Sequence, residues 1–301
     1  VVCATGTANL ALTTLTAAGG TTGVSFDGCA GTVNAANGTL NSTAGAGNPV
    51  VNLVNTAGIS AVNFTYGGSI NKTTSGAAVN IVGLTTPGAA TFNGTVTGTN
   101  ASGGVVITNT TRSVTFTTLI LGDSTNRFVT TPVTLAGNTG AVDLGVLSVY
   151  TNGATALNIN YANASPGQIT TDAGSLLNVA GAARALAVSH ATSQSLSLQF
   201  TDIINPGAGT HGIDINRATG ALVVTGLVNL GAKTTAGVQI SNSNNLVVSI
   251  DELDITGAAD GVRLSNNTGG SFTILGDGNF VSSHTNGAGG TFTNLTDNAF
   301  D

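Results

Sequence analysis

Charge is what this chain has least of. Asp, Glu, Lys and Arg make up 7% of 301 residues, where globular proteins carry about a quarter. Aromatic residues make up 4%, Met and Trp are absent, and there are 5 Pro and 2 Cys. Each shortage closes off a class of reading. The 7 basic residues form no cluster, so the electrostatic footprint of a nucleic-acid binder is missing and no such partner is expected. No apolar run reaches about 18 residues, which rules out a transmembrane helix. With 3 Tyr and no Trp there is nothing to build the aromatic girdles of a membrane barrel, so membrane insertion is not expected. The chain has no Gly-x-Ser-x-Gly elbow for a hydrolase serine. Its Gly-rich stretches, such as Gly19-Gly20, fail the phosphate-loop patterns. His190, His211 and His284 show no metal-ligand spacing.

What fills the space is small and polar. There are 43 Gly, with Ala, Val, Thr, Asn and Ser supplying most of the rest, and 41% of the chain is hydrophobic. Val and Thr favour strands while Asn and Gly mark turns. Regular alternation of Val, Ile and Leu argues against disorder. With so few charges (net −6), Asn, Thr and Ser must make the surface. The chain opens Val1-Val2-Cys3 with no initiator Met and no basic-then-apolar leader, so it is expected to be a processed secreted protein or a piece of a longer one.

The segment Gly237-Val238-Gln239-Ile240-Ser241-Asn242 returns about 24 residues later as Gly261-Val262-Arg263-Leu264-Ser265-Asn266, and is preceded by Gly212-Ile213-Asp214-Ile215-Asn216. Apolar-x-apolar pairs of this kind run through the chain: Val24/Phe26, Val51/Leu53, Val79/Ile81, Val105/Ile107, Val133/Leu135, Leu157/Ile159, Leu186/Val188, Ile213/Ile215, Val238/Ile240 and Val262/Leu264. Two further alternating runs lie inside each repeat, such as Val114/Phe116 followed by Leu119/Leu121. Strands at a steady interval without helical segments mark a solenoid. The expected fold is therefore all-β, a single domain over residues 1–301. It is a parallel β-helix of about 11 coils of about 26 residues, three short strands to a coil, stacked at about 4.8 Å. The first coil (1–22) and the tail (294–301) are expected to be irregular. The pattern also thins between Leu157 and Ala183, where Thr170 to Gly174 offers no second apolar pair. A left-handed hexapeptide helix would show a six-residue period, and a calcium roll would show Gly-Gly-x-Gly-x-Asp. A β-sandwich gives no reason for Asn to recur on Asn. No amphipathic helix closes either end, and an open strand edge is an aggregation hazard. Either the chain continues or subunits stack end to end.

Three sets of residues carry candidate chemistry. Cys3 and Cys29 lie about one coil apart, and an even pair in a secreted chain favours a disulfide; aligning Val2 on Val24 leaves them out of register. Asp251, Glu252 and Asp254, with Asp260 and Asp277 about a coil away or less, form the densest acid group. Carboxylates on one outer face would suit Ca²⁺ or an acid/base pair for glycoside cleavage. The plainer reading makes Asp251-Glu252 a corner and Asp254 a solvated side chain between inward Leu253 and Ile255, with no cofactor. Asn242 and Asn266 are expected to form a side-chain amide ladder, and Phe64, Phe92 and Phe116 to stack inside the coil. Sequons such as Asn63-Phe64-Thr65 are expected by chance at this composition.

The recurring Gly-Val-x-Ile-Ser-Asn openings and Gly/Asn/Thr-rich corners resemble the right-handed β-helix repeats of large bacterial surface proteins. Autotransporter passengers and filamentous-haemagglutinin-like adhesins are the nearest groups, and the pectin-lyase superfold is similar in general form. The resemblance covers most of the chain through composition and period. It implies a right-handed, non-enzymatic structural or adhesive β-helix, extracellular or on the cell surface, acting as a fibre subunit or adhesin stalk. Partners would be further copies of itself, head-to-tail or lateral, or glycans and proteins of host or neighbouring cells. The alternative is a carbohydrate-binding or carbohydrate-active β-helix. The lyases of the superfold pair aspartates with a nearby Arg or Lys, and here only Lys233 and Arg263 stand within a coil of the acid group. Ice binding would need a Thr array that runs such as Thr115-Phe116-Thr117 do not repeat.

Overall fold

Alternating apolar residues form strands because a strand turns successive side chains to opposite faces. Here the alternation recurs at one coil length, so each strand lies beside its own repeat. The computed structural model describes residues 2–3, 6–20, 22–42, 47–56, 61–85, 88–99, 103–161, 166–276 and 290–293, and among them there is no helix. The strands pair in parallel as a β-solenoid of about 10 turns, close to the count read from the sequence.

Each turn has three faces. On the first, Val24, Val51, Val79, Val105, Val133, Leu157, Leu186, Ile213, Val238 and Val262 are successive register partners. The second member of each pair forms a parallel column from Phe26 to Leu264, buried except at Leu264 on the last described turn. The second face opens with Gly6–Thr14, continues at Cys29–Asn37 and runs to Ser271–Ile274; the third includes Thr39–Ser42 and reaches Gly290–Thr293. Each inward Val, Leu or Ile contributes about 1.5–3 kcal/mol by leaving water.

The interior differs from expectation in one column. Phe92 stacks on Phe116 with ring centroids 4.7 Å apart and planes 8° from parallel, but its partner on the other side is Tyr66. Phe64 pairs instead with Ala90 in the next inward column. Small residues lie beside the rings at two of these steps, Phe64 over Ala90 and Tyr66 over Ala35, and Phe64 meets Phe92 diagonally with ring centroids 5.7 Å apart. Burial raises the Tyr66 phenol to about 12, and its hydroxyl donates to Leu15 O at 3.0 Å. In the thin region, Thr171 and Ser175 occupy buried positions. Thr171 Oγ1 exchanges bonds of 2.9 Å with the backbone of Gln199, and Ser175 Oγ accepts from Leu147 N at 2.9 Å. Polar residues replace the missing apolar pair by bonding to adjacent turns.

The first coil is more regular than expected. Gly6–Thr14 is a strand paired with Cys29–Asn37. Cys3 and Cys29 are bonded, with Cα atoms 6.2 Å apart. They are not equivalent positions: Cys3 pairs with Phe26 on the first face while Cys29 lies on the second, so the bridge crosses a corner. In the chain-entropy account a bridge across 26 residues stabilises by about 3.5 kcal/mol. The expected irregular tail, 294–301, lies outside the described residues.

Two corners explain the small residues. Between the first and second faces the chain bends through a left-handed residue: Gly28, Gly83, Asn109, Gly137, Arg217, Asn242 and Asn266 all have positive φ, from 53° to 69°. Gly adopts this conformation freely and Asn tolerates it better than other residues. Asn242 and Asn266 therefore recur because the backbone must bend there. Asn242 Nδ2 also donates to Asn216 Oδ1 on the preceding turn at 2.9 Å, a side-chain amide bond along the axis. Between the second and third faces, Gly38, Gly68 and Gly94 stack so closely that a Cβ on Gly94 would stand 2.1 Å from Gly68 O. Substituting Gly94→Ala is expected to destabilise by about 1–3 kcal/mol through overpacking against backbone. Gly20→Ala, where the nearest described atom is Thr22 O at 3.6 Å, is expected to stay within about 0.5 kcal/mol. Chemical denaturation of the two variants checks this; equal effects would contradict the close stacking.

Candidate functional site

The acids singled out in the sequence do not converge. Ile250 points inward, Asp251 is half-buried at the corner, Glu252 is buried, and Asp254 is half-buried between buried Leu253 and Ile255. Among the described residues no group of three or more His, Cys, Asp or Glu side chains is placed to hold a metal ion. Asp260 opens the first-face strand of the following turn, where Arg263 Nε lies 3.2 Å from its Oδ2. Asp277 and His284 lie outside the described residues. His190 is buried at a corner; its Nδ1 accepts from Thr192 N at 2.8 Å and its ring faces Tyr161.

The scarce charges have a common use. Corners interrupt the parallel ladder and leave backbone groups that must find other partners. Lys72, Arg112 and Lys233 are buried in such places. Arg112 donates to Ala61 O at 2.6 Å and Val62 O at 2.5 Å. Lys233 Nζ donates to Asn205 O at 3.1 Å, to Asn205 Oδ1 at 3.2 Å and to Gly207 O. Arg127 reaches Asn178 O at 3.2 Å across the ring of Tyr150, and Arg217 reaches Ala191 O at 2.9 Å. Carboxylates do the converse for amides on the next turn: Asp27 accepts from Thr56 N at 3.0 Å and Asp202 from Leu227 N at 2.8 Å. Asp123 accepts within its own loop from Asn126 Nδ2 at 2.9 Å, Thr125 Oγ1 at 2.7 Å and the backbone N–H groups of both, and these bonds, the side-chain ones first, hold its carboxyl well below the usual range.

One cluster departs from corner duty. Counting from the first inward residue of the first face, Arg184, His211 and Asp260 share one corner position on different turns, and Asp214, Gln239 and Arg263 are successive register partners on the face. Arg184 Nε lies 3.2 Å from Asp214 Oδ2, His211 Nδ1 lies 3.8 Å from the same oxygen, and His211 Nε2 lies 3.1 Å from Gln239 Oε1. The chain matches no family model, no curated protein and no solved structure. His211, Asp260 and Arg263 are each visible singly in the sequence, but their juxtaposition is not. The signal for the row of Asp214, Gln239 and Arg263 was present, because the outward residues of Ile213-Asp214-Ile215, Val238-Gln239-Ile240 and Val262-Arg263-Leu264 align at coil spacing. Planar guanidinium, imidazole, carboxylate and amide groups in a row can exchange hydrogen bonds with a polar ligand laid along the solenoid axis.

Burial lowers Lys233 from 10.5 to about 8. Between those values the unfolded chain holds a proton that the folded chain has released, so stability rises with pH across that window. Denaturation at pH 7.5 and pH 10 is expected to show this gain in the native chain and to lose it in Lys233→Met. Equal slopes for both proteins would contradict the buried placement of this amine.

Proposed function

We propose that the chain is an extracellular structural or adhesive β-solenoid, either a fibre subunit or the stalk of a surface adhesin of the autotransporter-passenger or filamentous-haemagglutinin-like kind. The observation that carries this reading is a row on the second face. Asn34, Thr65, Thr91, Thr115, Asp143, Thr170 and Ser197 follow one another in register over seven turns, all pointing outward. A rigid face of short hydrogen-bonding groups, each a coil apart, suits repeated weak contacts with other copies or with surface glycans and proteins. Several ionisable groups are meanwhile committed to corner backbone, as Arg112 and Lys233 illustrate. The Cys3–Cys29 bridge fits an oxidising compartment.

The cluster around His211 favours a second reading, carbohydrate binding, because its side chains lie along the axis of the coil. Electron microscopy with glycan-array binding separates the two. The first reading expects filaments or lateral bundles, or surface binding reduced when Thr65, Thr91 and Thr115 are replaced together by Lys. Binding lost on Asp214→Ala and Gln239→Ala, with the Thr row untouched, would favour the second. Isolated rods that bind nothing and cleave polysaccharide would overturn both.

A further inference from the structure

His211 stands at the centre of the one cluster just described, and its surroundings decide what a proton does there. The residue is 9% exposed. Its Nε2 lies 3.1 Å from Gln239 Oε1 on the next turn. That oxygen can only accept, so in the neutral ring Nε2 carries the hydrogen and Nδ1 is bare. Among the described residues Nδ1 has no hydrogen-bond partner, and it faces Asp214 Oδ2 at 3.8 Å, on its own strand. The same carboxylate oxygen is held from the preceding turn by Arg184 Nε at 3.2 Å. Arg263 bears on the ring from two turns ahead while pairing with Asp260. Lys233, on the neighbouring turn, is committed to Asn205 and Gly207.

A second proton on the ring would thus meet two favourable neighbours, the Asp214 carboxylate and the Gln239 amide oxygen, and two repulsive ones, Arg184 and Arg263. It would do so where little water remains to solvate it. We propose that these residues form an acid-released clasp between turns. At neutral pH Asp214 belongs to Arg184 and joins the two turns they stand on. On acidification a proton taken up at Nδ1 draws Asp214 toward His211, weakens the hold on Arg184 and loosens the solenoid over residues 209–241. Arg184 is 38% exposed in its side chain, so its guanidinium is then open to an anionic group on a partner. The clasp does not depend on what the solenoid binds.

The direction follows from the balance of effects. Burial is the largest influence on His211 and lowers it from 6.5; the attraction of Asp214 and the hydrogen bond to Gln239 oppose this, and Arg184 and Arg263 add to it. A histidine held below its unfolded value contributes stability that is present above 6.5 and lost as pH falls toward the folded value. The test compares thermal unfolding of the whole chain and of His211→Gln between pH 8 and pH 5. The variant keeps an amide toward Gln239 but takes up no proton. The wild-type midpoint is expected to fall more steeply below about pH 6.5 than that of the variant. Exchange of amide hydrogens at 209–216 and 236–241, corrected for pH, should speed up in the wild type alone. Proton NMR of the wild-type ring gives an independent measure that needs no variant to fold. It should titrate below 6.5, and Asp214→Asn should lower it further. A ring titrating at or above 6.5, or identical pH slopes for the two proteins, would overturn the clasp.

Discussion

Hydrogen bonding between adjacent turns is the constraint from which the rest follows. Parallel strands lie about 4.8 Å apart, and that spacing leaves no room for one turn to differ in class from the next without local compensation. Val238 lies on Val262 and Ile213 on Val238 because the ladder places them there. Hydrophobic burial then selects Val, Ile and Leu for the inward columns. The outward columns are free of that demand and carry Asn, Thr and Ser, and some of these bond along the axis, as Asn80 does to Asn52 at 2.8 Å.

Corners are where this economy is strained. The chain must change direction three times per turn, and each change removes backbone groups from the ladder. Left-handed residues solve one corner, stacked glycines another, and buried cations or carboxylates complete what remains. That use of Arg112 and Lys233 explains how a chain so poor in charge can still bury some of it. Each such cation is surrounded by carbonyl oxygens that would otherwise lack a donor. The cluster of Arg184, His211 and Asp214 is different, since its members bond side chain to side chain on an outer face.

The inward columns were legible in the sequence because the ladder requires the same residue class at every turn. The ten apolar pairs of the first face all proved to be register partners. Recurrence of Asn242 and Asn266 was legible too, but its cause was not: composition does not distinguish an amide ladder from a left-handed bend, and the alternation with Gly28, Gly83 and Gly137 was the clue. The aromatic column slipped by one pair because Phe64 and Tyr66 both face inward, and only their partners Ala90 and Phe92 decide which ring stacks on which. The roles of Arg112 and Lys233 could not be read at all, because their partners are backbone carbonyls. The disulfide was legible from parity, while its passage across a corner depended on the register of the first turn.

Cysteine pairs placed on the outer face test the stacking most directly. Asn52 and Asn80 are register partners on adjacent turns, and Val106 lies one turn further. Neighbouring parallel positions fall within disulfide range, while positions two turns apart do not. In-register stacking predicts that Asn52→Cys with Asn80→Cys bridges readily under mild oxidation, and that Asn52→Cys with Val106→Cys does not, as read by mass spectrometry of digests. Equal bridging of the two pairs, or none in the first, would contradict it.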